Sequence, residues 1–317
     1  MNESIIAAAF PGQGSQRPGM GKDFYENISV SRNAYCEASD VLGWDVAAMC
    51  FGEDERLNLT EYAQPCILTT EIAMLRGLHS LYGFTPEYFC GHSLGEYTAL
   101  VAAGVVPFSE ALKIVSFRGQ LMQEAMPVGA GGMAAIISNN LDLGMVRSTL
   151  KDLPIDVAND NSCSQVVISG ESSAMPEARE RLTKVFGDKG SSFRFIPLNV
   201  SAPFHSRFMS TVIEAFKDAL RALILKLIPK NAEKVTSNFT GHFYSDRSSE
   251  IIDYLAFQLS STVQWKKNME AIASVANSIY EIGPSRPLSG FFKTAGVPCM
   301  SVSTLSAASR LFERHQI

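Results

Sequence analysis

The chain has 317 residues, 46% of them hydrophobic, and its 27 Lys and Arg against 32 Asp and Glu give a formal net charge of −5. That length exceeds one average domain and supplies a sizeable core, so either two domains or one large α/β domain with an insertion would fit. The mildly acidic balance without a basic run speaks against nucleic-acid binding. No segment approaches the roughly 18 apolar residues of a membrane span, which excludes a helical membrane anchor.

Residues 5–10 are a continuous apolar run of strand length, as for a strand buried on both faces. No positively charged segment precedes the run, so it does not read as a signal peptide, and a cytoplasmic protein is expected. The run leads into Pro11-Gly12-Gln13-Gly14-Ser15-Gln16. Glycines on both sides of Gln13 let the main chain approach a ligand with its amides turned inward. A phosphate loop is disfavoured, because no G-x-x-x-x-G-K-[ST] is present. Residues 21–50 read as helical and Thr60 as a cap. A long helix is predicted over 64–82, with Ile67, Leu68, Ile72, Leu75, Leu78 and Leu81 at helical spacing and Gly83 at its end.

A short strand at 88–90 leads through Gly91-His92-Ser93-Leu94-Gly95 into a helix over 96–103. Ser109 is expected to cap a helix over 110–124 that carries Arg118. Residues 127–132 break the pattern. Beyond them, strands at 133–138, 155–158, 165–169 and 193–198 combine with helices at 143–151 and 174–186 in the order β-α-β-β-α-β, the ferredoxin-like split unit. A turn containing Pro203 ends at His205, and a helix follows to about residue 227. Then come a strand at 235–238, helices at 254–259 and 265–276, strands at 278–282 and 297–302, and a terminal helix over 306–317. The predicted fold class is α/β: a large α/β-hydrolase-like domain with a parallel sheet (1–126 and 199–317) and an inserted ferredoxin-like subdomain (127–198).

A G-x-S-x-G between a strand and a helix is the pattern of a nucleophile elbow, with Ser93 exposed on a tight turn. Alone the pattern is weak, since glycine and serine also build ordinary turns. A serine becomes a nucleophile only when a base takes its proton. Of the five histidines, His79 and His315 read as surface groups, and His92 should point away from its neighbour's hydroxyl. His205, held in a proline-containing turn, is better fixed than His242 in its polar stretch, and is preferred on that ground. No acidic residue stands out between Ser93 and His205 except inside the small unit, so a neutral acceptor is expected to orient the base. Arg118 reads either as a solvated charge or as a fork for a substrate carboxylate. Cys36, Cys50, Cys66, Cys90, Cys163 and Cys299 show no C-x-x-C or zinc spacing; they read as small buried residues, and no metal is expected.

Four separated motifs together resemble the malonyl-CoA:acyl-carrier-protein transacylases of fatty acid synthesis and the acyltransferase domains of polyketide synthases. They are Phe10-Pro-Gly-Gln-Gly-Ser-Gln16, Gly91-His-Ser-Leu-Gly-Glu-Tyr97, Phe117-Arg-Gly-Gln-Leu-Met122 and the His205 turn. Further matches at 158–161, 165–170, Gln258-Leu259, 263–265 and 281–284 extend the resemblance over nearly the whole chain. The resemblance implies Ser93 as the nucleophile that takes an acyl group from coenzyme A. It implies His205 as the base, which later activates the thiol of the carrier's phosphopantetheine arm, and Gln258 as the residue whose main-chain carbonyl orients it. The amides of Gln13 and Leu94 match an oxyanion hole, Arg118 matches the partner of the malonyl carboxylate, and Asn161 matches a contact to the thioester arm. The implied mechanism is ping-pong, with malonyl-CoA as substrate, an acyl carrier protein as partner and no permanently bound cofactor. No apolar helix face is left over, so a monomer is expected.

The residue before His205 is Phe204. Malonyl-selective polyketide acyltransferases resemble this, whereas methylmalonyl-selective ones often carry serine there, as stand-alone fatty-acid enzymes commonly do. Malonyl is therefore expected over methylmalonyl, in polyketide or fatty acid biosynthesis. The rival readings are an acyl hydrolase that clears carrier proteins, a transferase for a non-malonyl group, and a non-catalytic docking module. The hydrolases usually lack the arginine, and an intact Ser93, His205 and Gln13 argue against the docking module.

Overall fold

The structure, a computed structural model, describes residues 5–139, 141–187, 192–200 and 202–313. The first half runs β1 (Ile6–Phe10), α1 (Lys22–Asn27), α2 (Ser29–Leu42), α3 (Val46–Phe51), α4 (Thr60–Tyr82), β2 (Tyr88–Gly91), α5 (Gly95–Ala102) and α6 (Phe108–Glu124). Next come β3 (Gly131–Ile137), α7 (Leu143–Leu150), β4 (Ile155–Ser162), β5 (Gln165–Glu171), α8 (Met175–Phe186) and β6 (Arg194–Pro197). The chain closes with α9 (Ile213–Arg221), α10 (Ser248–Phe257), α11 (Trp265–Val275), β7 (Ser278–Ile282), α12 (Pro287–Thr294), β8 (Met300–Val302) and α13 (Leu305–Phe312).

Two sheets result, giving a mixed α/β fold. One is parallel, in the order β2-β1-β7-β8. In β1, Ala7 and Ala9 pack with Cys90, Trp265 and Phe292 on one face, while Ala8 and Phe10 pack with Leu68, Leu94 and Ile282 on the other. Both faces are covered, which is why the run is continuously apolar instead of alternating. The second sheet is antiparallel, in the order β4-β5-β3-β6. Here Ala134 and Ile136 face a small core with Val146 of α7 and Leu182 of α8, whereas Met133 and Ala135 turn toward the main core. The outer edge of β4 is sewn to the rest of the chain by Asp160 N–H to Val263 O (3.0 Å) and Val263 N–H to Ala158 O (2.8 Å). That seam ties the second sheet to the segment just before α11.

Several predicted boundaries move. The stretch 21–50 divides into three helices, with Ile28 extended and Gly43 left-handed at the breaks. Helix α4 starts at Thr60 and runs through Pro65. Ser109 is not the cap of α6; the helix begins at Phe108 after Pro107, whose fixed φ suits the entry. β4 continues through the polar residues to Ser162, with two register shifts. α9 stops at Arg221 and gives way to short 3-10 turns. The predicted strand at 235–238 is reduced to isolated bridges, Val235 beside Phe89 and Thr236 beside Phe243. α10 begins at Ser248, six residues early (254 − 248), and ends in a 3-10 turn at Gln258–Ser260. Cys36 and Cys163 are exposed, unlike the buried role expected of all six cysteines. His315 and the end of the predicted terminal helix lie outside the described residues. No described helix is long and apolar enough to cross a membrane.

Candidate active site

Glycines close the turn between β2 and α5. A Cβ on Gly91 would fall on the Gly95 carbonyl, and a Cβ on Gly95 would fall on the Phe10 carbonyl. Only hydrogen side chains let the turn sit this tightly against the end of β1. Ser93, between them, takes φ 53°, a left-handed conformation rare outside glycine. Asn238 clamps it from outside the turn: its side-chain oxygen accepts the Ser93 N–H at 2.6 Å, and its NH2 donates to the Gly91 carbonyl at 2.7 Å.

Ser93 Oγ lies 2.7 Å from His205 Nε2. His205 also has positive φ, 58°, in a turn braced by the Ser206 hydroxyl donating to the Pro203 carbonyl at 2.6 Å. Its Nδ1 meets the main-chain carbonyl of Gln258 at 2.8 Å. That carbonyl is free because Gln258 follows the last residue of α10, where helical carbonyls have no partner within the helix. A carbonyl can only accept, so the proton resides on Nδ1 and Nε2 presents its lone pair to the serine hydroxyl. Burial first, and then the Arg118 charge, push His205 down to about 3, so the ring is neutral at pH 7. The neutral acceptor expected from the sequence is therefore a backbone oxygen.

Arg118 is only 1% exposed, which removes the reading of a solvated charge. One terminal nitrogen donates to Gln64 Oε1 at 2.9 Å. The other donates to Gln258 Oε1 at 2.8 Å and to Ser93 Oγ at 3.1 Å. Its planar group lies over the Tyr97 ring at 5.2 Å, and its Nε has no partner. Burial lowers its pKa from the ordinary value, against the opposing pull of Tyr97 and Glu96. No carboxylate forms a salt bridge with this guanidinium among the described residues. A buried cation held only by neutral acceptors is poised to pair with an incoming anion.

Glu96, fully buried behind the turn, accepts from Asn238 N–H at 3.1 Å, from the Tyr244 hydroxyl and from Gln258 Nε2. Burial pushes it up to about 7, against the lowering effect of those donors.

The acyl transferase domain family model matches residues 9–286. The malonyl CoA-acyl carrier protein transacylase of Bacillus subtilis (strain 168) is 40% identical over 302 residues, covering 92% of this chain and 90% of the relative. The chain belongs to the malonyl CoA-acyl carrier protein transacylase family. The transacylase crystal structure from Clostridium perfringens superposes with a TM-score of 0.88 at 34% identity, covering 99% of this chain and 98% of that one. A structure described as a type II PKS acyl-carrier protein in complex with its malonyl-transacylase gives a TM-score of 0.86 at 33% identity, over 98% of this chain and 100% of that one.

In this member of the transacylase family, Ser93, His205 and Arg118 stand at a cleft of about 580 Å³ whose lining includes Gln13, Val128, Met133, Asn159 and Phe204. The amides of Gln13 and Leu94 donate to no group among the described residues. The Gln13 side chain is held aside by Thr60 at 3.2 Å. Asn161 departs from its expected place: its oxygen pairs with His92 Nε2 at 2.8 Å and its NH2 with Gln165 at 2.9 Å, and Asn159 faces the cleft instead. His92 packs edge-on to Trp265, so it supports the turn. His79 and His242 are exposed and away from the cleft.

Sequence reasoning passed over Gln64, Glu96, Asn238 and Tyr244 as members of the site. Gln64 left a signal, a polar residue three and four positions before Ile67 and Leu68 on the buried face of α4. Asn238 and Tyr244 left none, because both lie in a stretch that reads as a polar loop.

Proposed function

We propose that this protein moves a malonyl group from coenzyme A to the phosphopantetheine thiol of an acyl carrier protein through a Ser93 ester. The observation that carries the reading is the buried Arg118 guanidinium, 3.1 Å from the nucleophilic oxygen. A fork there suits a carboxylate two carbons from the reacting carbonyl. Ser93 Oγ attacks the thioester carbonyl while its proton passes to His205 Nε2. The Gln13 and Leu94 amides receive the oxyanion. The tetrahedral adduct then collapses, the C–S bond breaks, and coenzyme A leaves as a thiol with the proton from His205. The carrier thiol repeats these steps in reverse, with His205 accepting its proton, and each half-reaction exchanges one acyl linkage for another. The thioester is itself activated, so the chemistry calls for no resident cofactor.

The relative solved with an acyl-carrier protein supports the carrier as acceptor. The second sheet is read as a ferredoxin-like subdomain (127–198) inserted in an α/β-hydrolase-like domain (1–126 and 199–317). Its strand order, with α7 and α8 sharing one core, supports this. Radiolabelled malonyl-CoA should esterify Ser93, and the label should pass to added carrier protein. Labelling that survives Ser93→Ala would end this reading.

A further inference from the structure

The Glu96 carboxylate touches no group that would meet the substrate, yet its partners hold two that would, Ser93 and Arg118. It follows the elbow directly, in the first turn of α5, with no exposed surface. Its Oε1 takes the Asn238 N–H and the Tyr244 hydroxyl, and its Oε2 takes Gln258 Nε2. Asn238 in turn holds the Ser93 amide. Gln258 Oε1 holds Arg118, and Gln258 Nε2 also reaches the Ser93 carbonyl at 3.1 Å.

A side-chain amide has one accepting and one donating end. Glu96 takes the donating end of Gln258, which leaves the accepting end turned to Arg118. We propose that Glu96 is a positioning residue that fixes the sense of the Gln258 amide and thereby aims the Arg118 guanidinium at the substrate carboxylate. The proposal rests on the malonyl-transfer reading above.

The chemistry of one replacement separates this role from bulk packing. Glu96→Gln keeps the shape but exchanges one acceptor for an NH2. The main-chain N–H of Asn238 cannot turn, so the new NH2 must face Gln258, where two donors then oppose each other. Relief requires the Gln258 amide to turn over, which sets its NH2 against Arg118 and takes its donor away from the Ser93 carbonyl. The main-chain carbonyl of Gln258, which holds His205, is untouched by that rotation. Glu96→Asp, one methylene shorter, disturbs the packing but keeps two acceptors, so it leaves the sense of the Gln258 amide unchanged.

The test compares wild type, E96Q and E96D in two assays. One is steady-state malonyl transfer to carrier protein. The other is phosphonylation of Ser93 by a neutral alkyl fluorophosphonate ester, which loses fluoride to the Ser93 hydroxyl and probes the Ser93–His205 pair. In E96Q, kcat/KM for malonyl-CoA should fall by about tenfold, carried mainly by KM, as expected when a buried hydrogen bond to a charged group is broken. Phosphonylation should stay within about twofold, since the Ser93–His205 bond and the Gln258 carbonyl that holds His205 are left in place. E96D, which packs less well but keeps both acceptors, should hold KM closer to wild type than E96Q does. Parallel losses in both assays would mean that Glu96 only supports the fold, and would overturn the proposal. An unchanged KM in E96Q, or a KM raised as much in E96D as in E96Q, overturns it equally. A wild type that is phosphonylated but does not turn over malonyl-CoA defeats the function reading instead, before any variant is made.

Discussion

Ser93 and His205, 112 positions apart, are the two non-glycine residues with positive φ among those described, and their side chains meet at 2.7 Å. Left-handed backbone costs a non-glycine residue roughly 1–2 kcal/mol. Such conformations persist where the surroundings over-determine them. At Ser93 the surroundings are Gly91, Gly95 and the Asn238 clamp; at His205 they are the Ser206 hydroxyl and the Gln258 carbonyl. Both ends of one hydrogen bond are thus held in place by strained main chain, which fixes the distance between the Ser93 hydroxyl and the His205 ring before substrate arrives.

The strain at Ser93 is measurable by comparing two variants that both lack the hydroxyl. Ser93→Ala keeps a Cβ at φ 53°, whereas Ser93→Gly removes it. Ser93→Gly should be the more stable by about 1 kcal/mol, as expected where the left-handed penalty exceeds the entropy that glycine adds to the unfolded chain. Urea midpoints with equal slopes would read this directly. An Ala variant as stable as the Gly variant would show that the turn relaxes and stores no strain.

The pH dependence follows from His205. Its folded pKa lies well below the ordinary 6.5, pushed to about 3 by burial first and the Arg118 charge second. The ring therefore stays neutral as pH falls through 6.5, and Ser93 phosphonylation should keep its rate well into the acid range. The unfolded chain binds the proton sooner, so this group's contribution to stability is lost as pH drops from 6.5 toward 3. Arg118→Ala removes a repelling charge and raises the His205 pKa, so the acid limb should move to higher pH. The same variant should lose malonyl transfer and accept acetyl-CoA. A phosphonylation profile that falls off at 6.5 in the wild type, or one unmoved by Arg118→Ala, would contradict this electrostatic account.

What the sequence made legible was what chemistry imposes locally. β1 could be read because both its faces are buried, and the elbow because glycines must flank the serine. His205 could be preferred because a proline turn fixes it. Arg118 remained open between two readings, since burial is a property of the packed fold. Glu96, Gln64 and Asn238 act through partners as far as 162, 58 and 147 positions away, and nothing in the neighbouring residues reports those contacts. The exchange of Asn161 for Asn159 has a backbone cause. β4 shifts register between Asp160 and Ser162, leaving Asn161 as the extra residue, and such a bulge re-aims a side chain.

Gly119, next to Arg118, sets the spacing of α6 on α4. A Cβ there would lie 2.7 Å from Glu61 Cα and 2.7 Å from the Thr60 carbonyl oxygen. Both are main chain and cannot swing aside, so Gly119→Ala must part the helices. Arg118 rides on α6 and its partner Gln64 on α4, so their 2.9 Å bond should lengthen. Overpacking of this kind costs about 1–3 kcal/mol, readable as a lowered urea midpoint. The malonyl-CoA KM should rise while Ser93 phosphonylation is preserved. A variant with unchanged midpoint and KM would show that the helix contact does not position the arginine.

Phe204 bears on which acyl group fits. It precedes His205, is 6% exposed, and shares the cleft wall with Met133 and Val200. A malonyl group held at Ser93 and Arg118 has its C2 between those two anchors, and a branch there would have to find room against the wall. The discrimination available from one methyl group is about 10–200-fold. Phe204→Ser should cut the malonyl preference over methylmalonyl by about tenfold, chiefly by raising kcat/KM for methylmalonyl-CoA. Phe204→Leu, which leaves part of the wall, should fall between. Removal of a buried ring will also destabilise the fold by about 3 kcal/mol, so transfer should be assayed well below the melting temperature of each variant. The ratio of the two kcat/KM values is independent of the folded fraction, which makes it the decisive measurement. A ratio unchanged in Phe204→Ser would mean that the branch is excluded elsewhere, with Met133 and Val200 as the remaining walls to replace.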